Sequence, residues 1–210
     1  MKKNRKPVGM TTGQYYKKNT RSSLLEVCDA LSIGKIRIGF RTYDTTKPVG
    51  QRETQAIDIY MDARRFLLLA FKLKTNAIKK ALDSSTLPAF EDYGGSMEKG
   101  VCICRRLSIE RSTKENAMAF HAVLGPGKQT ATGGVVFAGK AEKSITVPLS
   151  YDESIELALM GELMIQSFSN YCMQNRYEEK PNMQAPQKIV SPDNTITAAS
   201  EPFLYTPHEY

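Results

Sequence analysis

AIDIYMDARRFLLLAFKLKTNA, residues 56–77, and SITVPLSYDESIELALMGELMI, residues 144–165, carry one pattern twice. Moving the first along by 88 positions places Ile57, Ile59 and Met61 on Ile145, Val147 and Leu149, an apolar alternation with the period of a strand. Asp62 and Ser150 then stand where a helix N-cap belongs, because their side-chain oxygens can accept from the free N–H groups of a first turn. The match continues into the helix. Leu69, Leu73 and Ala77 fall on Leu157, Gly161 and Ile165, at one phase of the helical period of about 3.6 residues. The unit is a strand feeding an amphipathic helix, and the spacing predicts two copies of it.

Working outward, KIRIGFRTYD alternates from Lys35: Ile36, Ile38 and Phe40 face one way, and Lys35, Arg37, Arg41 and Tyr43 the other. TTKPVGQRET, with Pro48 and Gly50, is a turn leading into the strand that ends at Met61, and it brings in Arg52. The second half opens on VCICRRLSIER, where Val101, Ile103, Leu107 and Ile109 share a parity that Arg105 breaks, which predicts a bulge or a change of neighbour there. MAFHAVLGPGKQTATGGVVFAGKAEKSITVPLS reads as two or three further strands, separated near residues 125–128 and 139–143.

The flanking stretches read differently. Residues 1–21 are basic and polar, and read as a disordered arm. Ser23 to Glu26 has capping-box spacing, predicting a short helix from Leu24 to Leu31 closed by Gly34. SSTLPAFEDYGGSMEKG reads as a connection between halves, and residues 177–210 as a Pro-rich acidic tail. The expected organisation is a basic arm (1–21), one α+β domain (22–176) made of two repeats at about 35–82 and 101–176, and the tail. Its fold class is α+β, with duplicated strand-helix units, a curved antiparallel sheet, helices packed on one side and flexible tails.

Charge is segregated. Residues 1–21 hold seven Lys/Arg and no acid, whereas residues 150–210 hold three basic and nine acidic side chains, so the positive charge belongs to the arm and the strands. That distribution suits a polyanionic partner. The cysteines Cys28, Cys102, Cys104 and Cys172 form no CxxC pair and have no metal spacing with His121 or His208. GPGKQT lacks the spacer and the Ser/Thr of a phosphate loop. With no Ser/His/Asp or Cys/His grouping and scattered acids, the chain reads as a non-enzyme needing no metal or cofactor. The longest apolar run, Phe66 to Phe71, is far short of the roughly 20 residues of a membrane span, so the expected location is cytoplasmic, with no membrane partner.

The residues expected to bind nucleic acid are Lys35, Arg37, Arg41, Tyr43, Arg52, Tyr60, Arg105, Arg106, Arg111, Lys128, Lys140 and Lys143. Cations follow phosphates, and tyrosines stack on unpaired bases at about 1 to 3 kcal/mol each. Phe120 and Phe137 are assigned to the core. Because Ile36, Ile38 and Phe40 claim the dry face, the first strand's cations are expected to be free for a polyanion.

A capped helix after strands, repeated once, with a cationic sheet face, resembles the Whirly and positive-cofactor-four type of single-stranded DNA-binding fold. The resemblance spans about residues 35–173, and IRIGFRTYD with IDIYMDARRFLLLAF looks like short bacterial mobile-element proteins of that class. It implies a non-catalytic binder of single-stranded DNA acting in replication, conjugative transfer or recombination. A protein-interaction adaptor or an RNA-binding regulator is the alternative. Expected partners are single-stranded DNA or RNA, a second copy of the chain, and a protein held by the aromatics of the tail from Glu201 to Tyr205 and Tyr210.

Overall fold

Both copies of the strand-helix unit form as their periodicity requires. The computed structural model describes residues 13–85 and 87–178. Its first half is an antiparallel sheet of β1 (Gln14–Asn19), β2 (Ser23–Ala30), β3 (Lys35–Tyr43) and β4 (Glu53–Asp62), hydrogen-bonded in that order. β4 runs into α1 (Ala63–Lys74), and a break at Asn76, whose φ is +56°, separates α2 (Ala77–Ser84). The second half repeats the plan with β5 (Phe90–Glu98), β6 (Val101–Arg111), β7 (Ala117–Gln129) and β9 (Lys143–Ser150) side by side. A short β8 (Val135–Phe137) pairs with the far end of β7, and β9 feeds α3 (Tyr151–Glu178).

Equivalent positions share their environment. Ile57, Ile59 and Met61 are buried like Ile145, Val147 and Leu149, and Leu69 and Ala70 like Leu157 and Ala158. Asp62 accepts from the Arg64 N–H at 3.0 Å. Ser150 and Glu153 complete a reciprocal capping box, Glu153 N–H to Ser150 Oγ at 3.2 Å and Ser150 N–H to Glu153 Oε2 at 2.9 Å. Such a cap contributes about 1 kcal/mol. The copies differ at one telling place: Leu73 is matched by Gly161, where a Cβ would overlap the Phe66 ring, so the glycine lets α3 close on α1. Lys74 Nζ then meets Glu162 Oε2 at 2.6 Å across equivalent positions of the two copies. Both sheets and the helices share one core.

Several expectations are corrected. Gln14–Asn19 is β1 rather than part of a disordered arm, because Tyr16 is buried in the core beside β2. Residues 1–12 and the tail from 179 lie outside the described residues. The Ser23 to Glu26 stretch starts β2, not a helix: Ser23 Oγ closes the β1–β2 turn against Thr20 Oγ1 at 2.7 Å, and Leu25 and Val27 are fully buried between strands. Pairing on both sides outweighs a four-residue local signal. Phe90–Glu98, read as part of a connection, forms β5, while the stretch expected to hold two or three further strands holds β7, β8 and β9. Residues 125–128 belong to β7, where Gly125 and Gly127 admit the backbone at Lys140 and the Val135 side chain. The register of β6 runs unbroken through Arg105, which pairs with Gly94 of β5 and Leu124 of β7, so neither a bulge nor a change of neighbour occurs there.

Candidate nucleic-acid interface

On the outer face of the first sheet, antiparallel register places Glu26 of β2 and Asp58 of β4 on either side of Gly39 in β3. Arg37 and Arg41 flank that glycine along the strand. Arg37 contacts Glu26 Oε1 at 3.2 Å, Asp58 Oδ1 at 3.2 Å and Cys28 Sγ at 3.0 Å. Arg41 meets Asp58 Oδ1 at 2.8 Å and Glu53 Oε2 at 3.5 Å, with its side chain only 13% exposed. A Cβ on Gly39 would sit 3.0 Å from Glu26 and 3.1 Å from Asp58, so the glycine makes room for both carboxylates. Burial pushes the Cys28 thiol up, with the Glu26 carboxylate adding to it. These arginines are therefore neutralised within the sheet, contrary to the expectation that they meet no acid. The alternation of β4 already put Asp58 on this face, but Glu26 lay hidden in the stretch read as a helix.

Most other strand cations are also engaged. Lys35 lies 3.7 Å from Asp62, Arg106 lies 3.3 Å from Glu91, and Arg105 pairs with Glu98 while donating to Ser96 Oγ at 2.9 Å. The hydrogen bond from Arg105 is the main reason the Glu98 carboxyl is held below its ordinary range. Arg111 donates to the Leu82 carbonyl at the end of α2. Phe120 is buried, as assigned; Phe137 is half-buried, edge-on to Tyr93 with centroids 6.4 Å apart.

The remaining four expected cations behave differently. Arg52, Lys128, Lys140 and Lys143 are exposed and have no carboxylate within ion-pair distance among the described residues. The three lysines gather where β7 ends, β8 pairs and β9 begins. Sequence reasoning passed over Arg21, Lys114 and Tyr93. The first two sit in hairpin turns, a signal that turn chemistry could have supplied, whereas Tyr93 lay inside the supposed connection.

A cleft of about 360 Å³ opens between β4 and β5, where the two copies meet, lined by Tyr60, Tyr93, Lys35, Arg105 and the backbone of Gly94 and Gly95. Tyr60 is 48% and Tyr93 46% exposed, one contributed by each copy. Asp92 also lines it; burial raises its pKa, against the opposing hydrogen bond from Arg65 Nε at 3.2 Å. Tyr43 is held elsewhere on the first sheet, its hydroxyl pKa raised by burial and then by the Glu53 carboxylate. Among the described residues no His/Cys/Asp/Glu group is placed to hold a metal, and no helix is long and apolar enough to cross a membrane.

The chain is thus a duplicated α+β protein with a sheet and a capped helix in each half. Solved structures similar to it include WHY3 from Arabidopsis thaliana, at 9% identity over 80% of this chain and 99% of that one, TM-score 0.48. WHY1 from the same plant matches at 10% identity over 83% and 98%, TM-score 0.44. The plant transcriptional regulator PBF-2 matches at 9% identity over 83% and 92%, TM-score 0.47. No family model and no curated protein sequence matches the chain.

Proposed function

We propose that the protein is a non-catalytic binder of single-stranded DNA, serving replication, conjugative transfer or recombination in the cytoplasm. The observation that carries this reading is the pair Tyr60 and Tyr93, each about half exposed on one cleft, whose cations Lys35 and Arg105 are paired with Asp62 and Glu98. Half-exposed rings suit unpaired bases, whose faces a duplex hides. The test is fluorescence anisotropy with labelled oligothymidylate, oligouridylate and duplex DNA at two salt concentrations. The expected outcome is preference for the single strand, with affinity falling at least about tenfold for Tyr60→Ala combined with Tyr93→Ala. Equal binding of duplex, or no effect of the double variant, would overturn it.

The helix layer supports self-association rather than an adaptor role for a foreign protein. Phe71 and Leu159, at equivalent positions of the two copies, are 59% and 51% exposed, alongside Leu68 at 41% and Leu163 at 53%. An apolar strip drawn from both copies suits an isologous contact with a second chain. Sedimentation velocity should show an oligomer for the parent and a monomer for Phe71→Lys combined with Leu163→Lys.

A further inference from the structure

Two clefts adjoin at one end of the sheets. One, of about 530 Å³, lies between the β1–β2 turn and the β3–β4 loop and is lined by Arg21, Tyr43, Val49 and Arg52. The other, of about 450 Å³, lies between the same turn and the β6–β7 turn and is lined by Lys18, Arg21, Lys114 and Glu153. They share Asn19, Thr20 and Arg21. The two clefts border the same turn, one toward each sheet, and together form a groove with Arg21 lining both parts.

The charges along it are unequal in availability. Glu53 is occupied by Arg41, and Glu153 by Lys18. Glu115 also borders the groove. Arg21, Arg52 and Lys114 are exposed, and none has a carboxylate partner among the described residues. Arg21 and Arg52 are also carried on ordered turns. Thr20 N–H donates to the Ser23 carbonyl at 2.7 Å and Tyr43 N–H to the Ser22 carbonyl at 2.8 Å, fixing the turn that bears Arg21. Arg52 Nε donates to the Lys47 carbonyl at 2.9 Å, which sets its stem and leaves both terminal guanidinium nitrogens unspent. Asp44 accepts from the Thr46 N–H at 3.0 Å and the Thr46 hydroxyl at 2.6 Å, and Asp44 N–H bonds the Arg52 carbonyl at 2.8 Å, so the loop is closed on itself. Tyr43 supplies an aromatic ring to the cleft that both arginines line.

Resting on the reading of the protein as a single-strand binder, we infer that this groove, rather than the arginine-bearing sheet face, carries the phosphodiester backbone of the bound strand. Arg21, Arg52 and Lys114 take successive phosphates, and Tyr43 receives a base. A preordered loop loses little freedom on binding, and unpaired cations release their counterions, which is the source of affinity for a polyanion.

The experiment measures oligothymidylate affinity between 50 and 200 mM salt for the full chain, for Arg21→Ala with Arg52→Ala, and for Arg21→Lys with Arg52→Lys. At about 0.7 of log-log slope per phosphate contact, losing two contacts should flatten the slope by about 1.4, narrowing the affinity change across that salt range by about sevenfold. The lysine pair should keep the slope, since charge and not shape sets it, and thermal melting should be the same for all three. A parent that binds tightly with an unchanged slope in the alanine pair overturns the groove and leaves the single-strand reading standing. A parent that binds no oligonucleotide overturns both.

Discussion

The outer face of the first sheet and the turns at its end hold the same residue types in opposite electrostatic states. On the face, Arg37 and Arg41 find Glu26 and Asp58 on the adjacent strands, between 2.8 and 3.2 Å away. In the turns, Arg21, Arg52 and Lys114 have no such partners among the described residues. An interior strand has neighbours about 4.8 Å away on both sides, each able to present a carboxylate at the matching register; a turn has none. Positive residues close in sequence therefore do not measure positive charge available to a ligand.

The strongest way to break the contrast is Asp58→Ala. It leaves two guanidiniums side by side with one shared acceptor gone, and should cost about 2 to 3 kcal/mol of stability, read as a fall in melting temperature. The same variant should bind oligothymidylate more tightly and with a steeper salt slope, because it leaves Arg37 and Arg41 with one carboxylate each, Glu26 and Glu53. Arg41→Ala should cost less, about 1 to 2 kcal/mol, and the double variant should fall short of the sum, since both lose one interaction. Additive losses in calorimetry would mean that Arg41 and Asp58 do not act as a pair. This reverses the expectation from the sequence alone, in which the first strand's cations are free for a polyanion.

Lys18 sharpens the comparison at the smallest scale, because it borders the groove yet belongs with the paired class. Burial tends to raise the Glu153 pKa, but the hydrogen bonds from Lys18 and from the Ser150 N–H prevail and hold it below 4.5. A carboxyl depressed in the folded state adds stability that is complete above its unfolded value and is lost as pH falls through the folded one. Glu153→Gln should therefore lower stability slightly at neutral pH and flatten the acid limb of a melting-temperature profile below about pH 4.5. An unaltered acid limb would show that the contact contributes nothing.

Much of the fold was legible because it is written in local periods. Side-chain alternation in Ile57 to Met61, the helical stripe through Leu69 and the caps at Asp62 and Ser150 depend on backbone geometry within a few residues, and the same geometry recurs 88 positions on. Tyr60 and Lys35 were correctly placed on the outer face for the same reason. Ser23 to Glu26 was misread because its local spacing fits a helix cap, whereas its hydrogen bonds go to Thr20, Gln14 and the flanking strands.

By itself, then, the sequence determined that strands feed capped helices twice and which side of each strand is dry, since those follow from one element's own backbone. Only the tertiary structure decided that β1 and β5 complete the sheets, that Tyr60 and Tyr93 line one cleft, and which cations are left unpaired. Those outcomes depend on the register between segments distant in the chain, such as Glu26, Gly39 and Asp58 brought into one row, and no local period encodes that register.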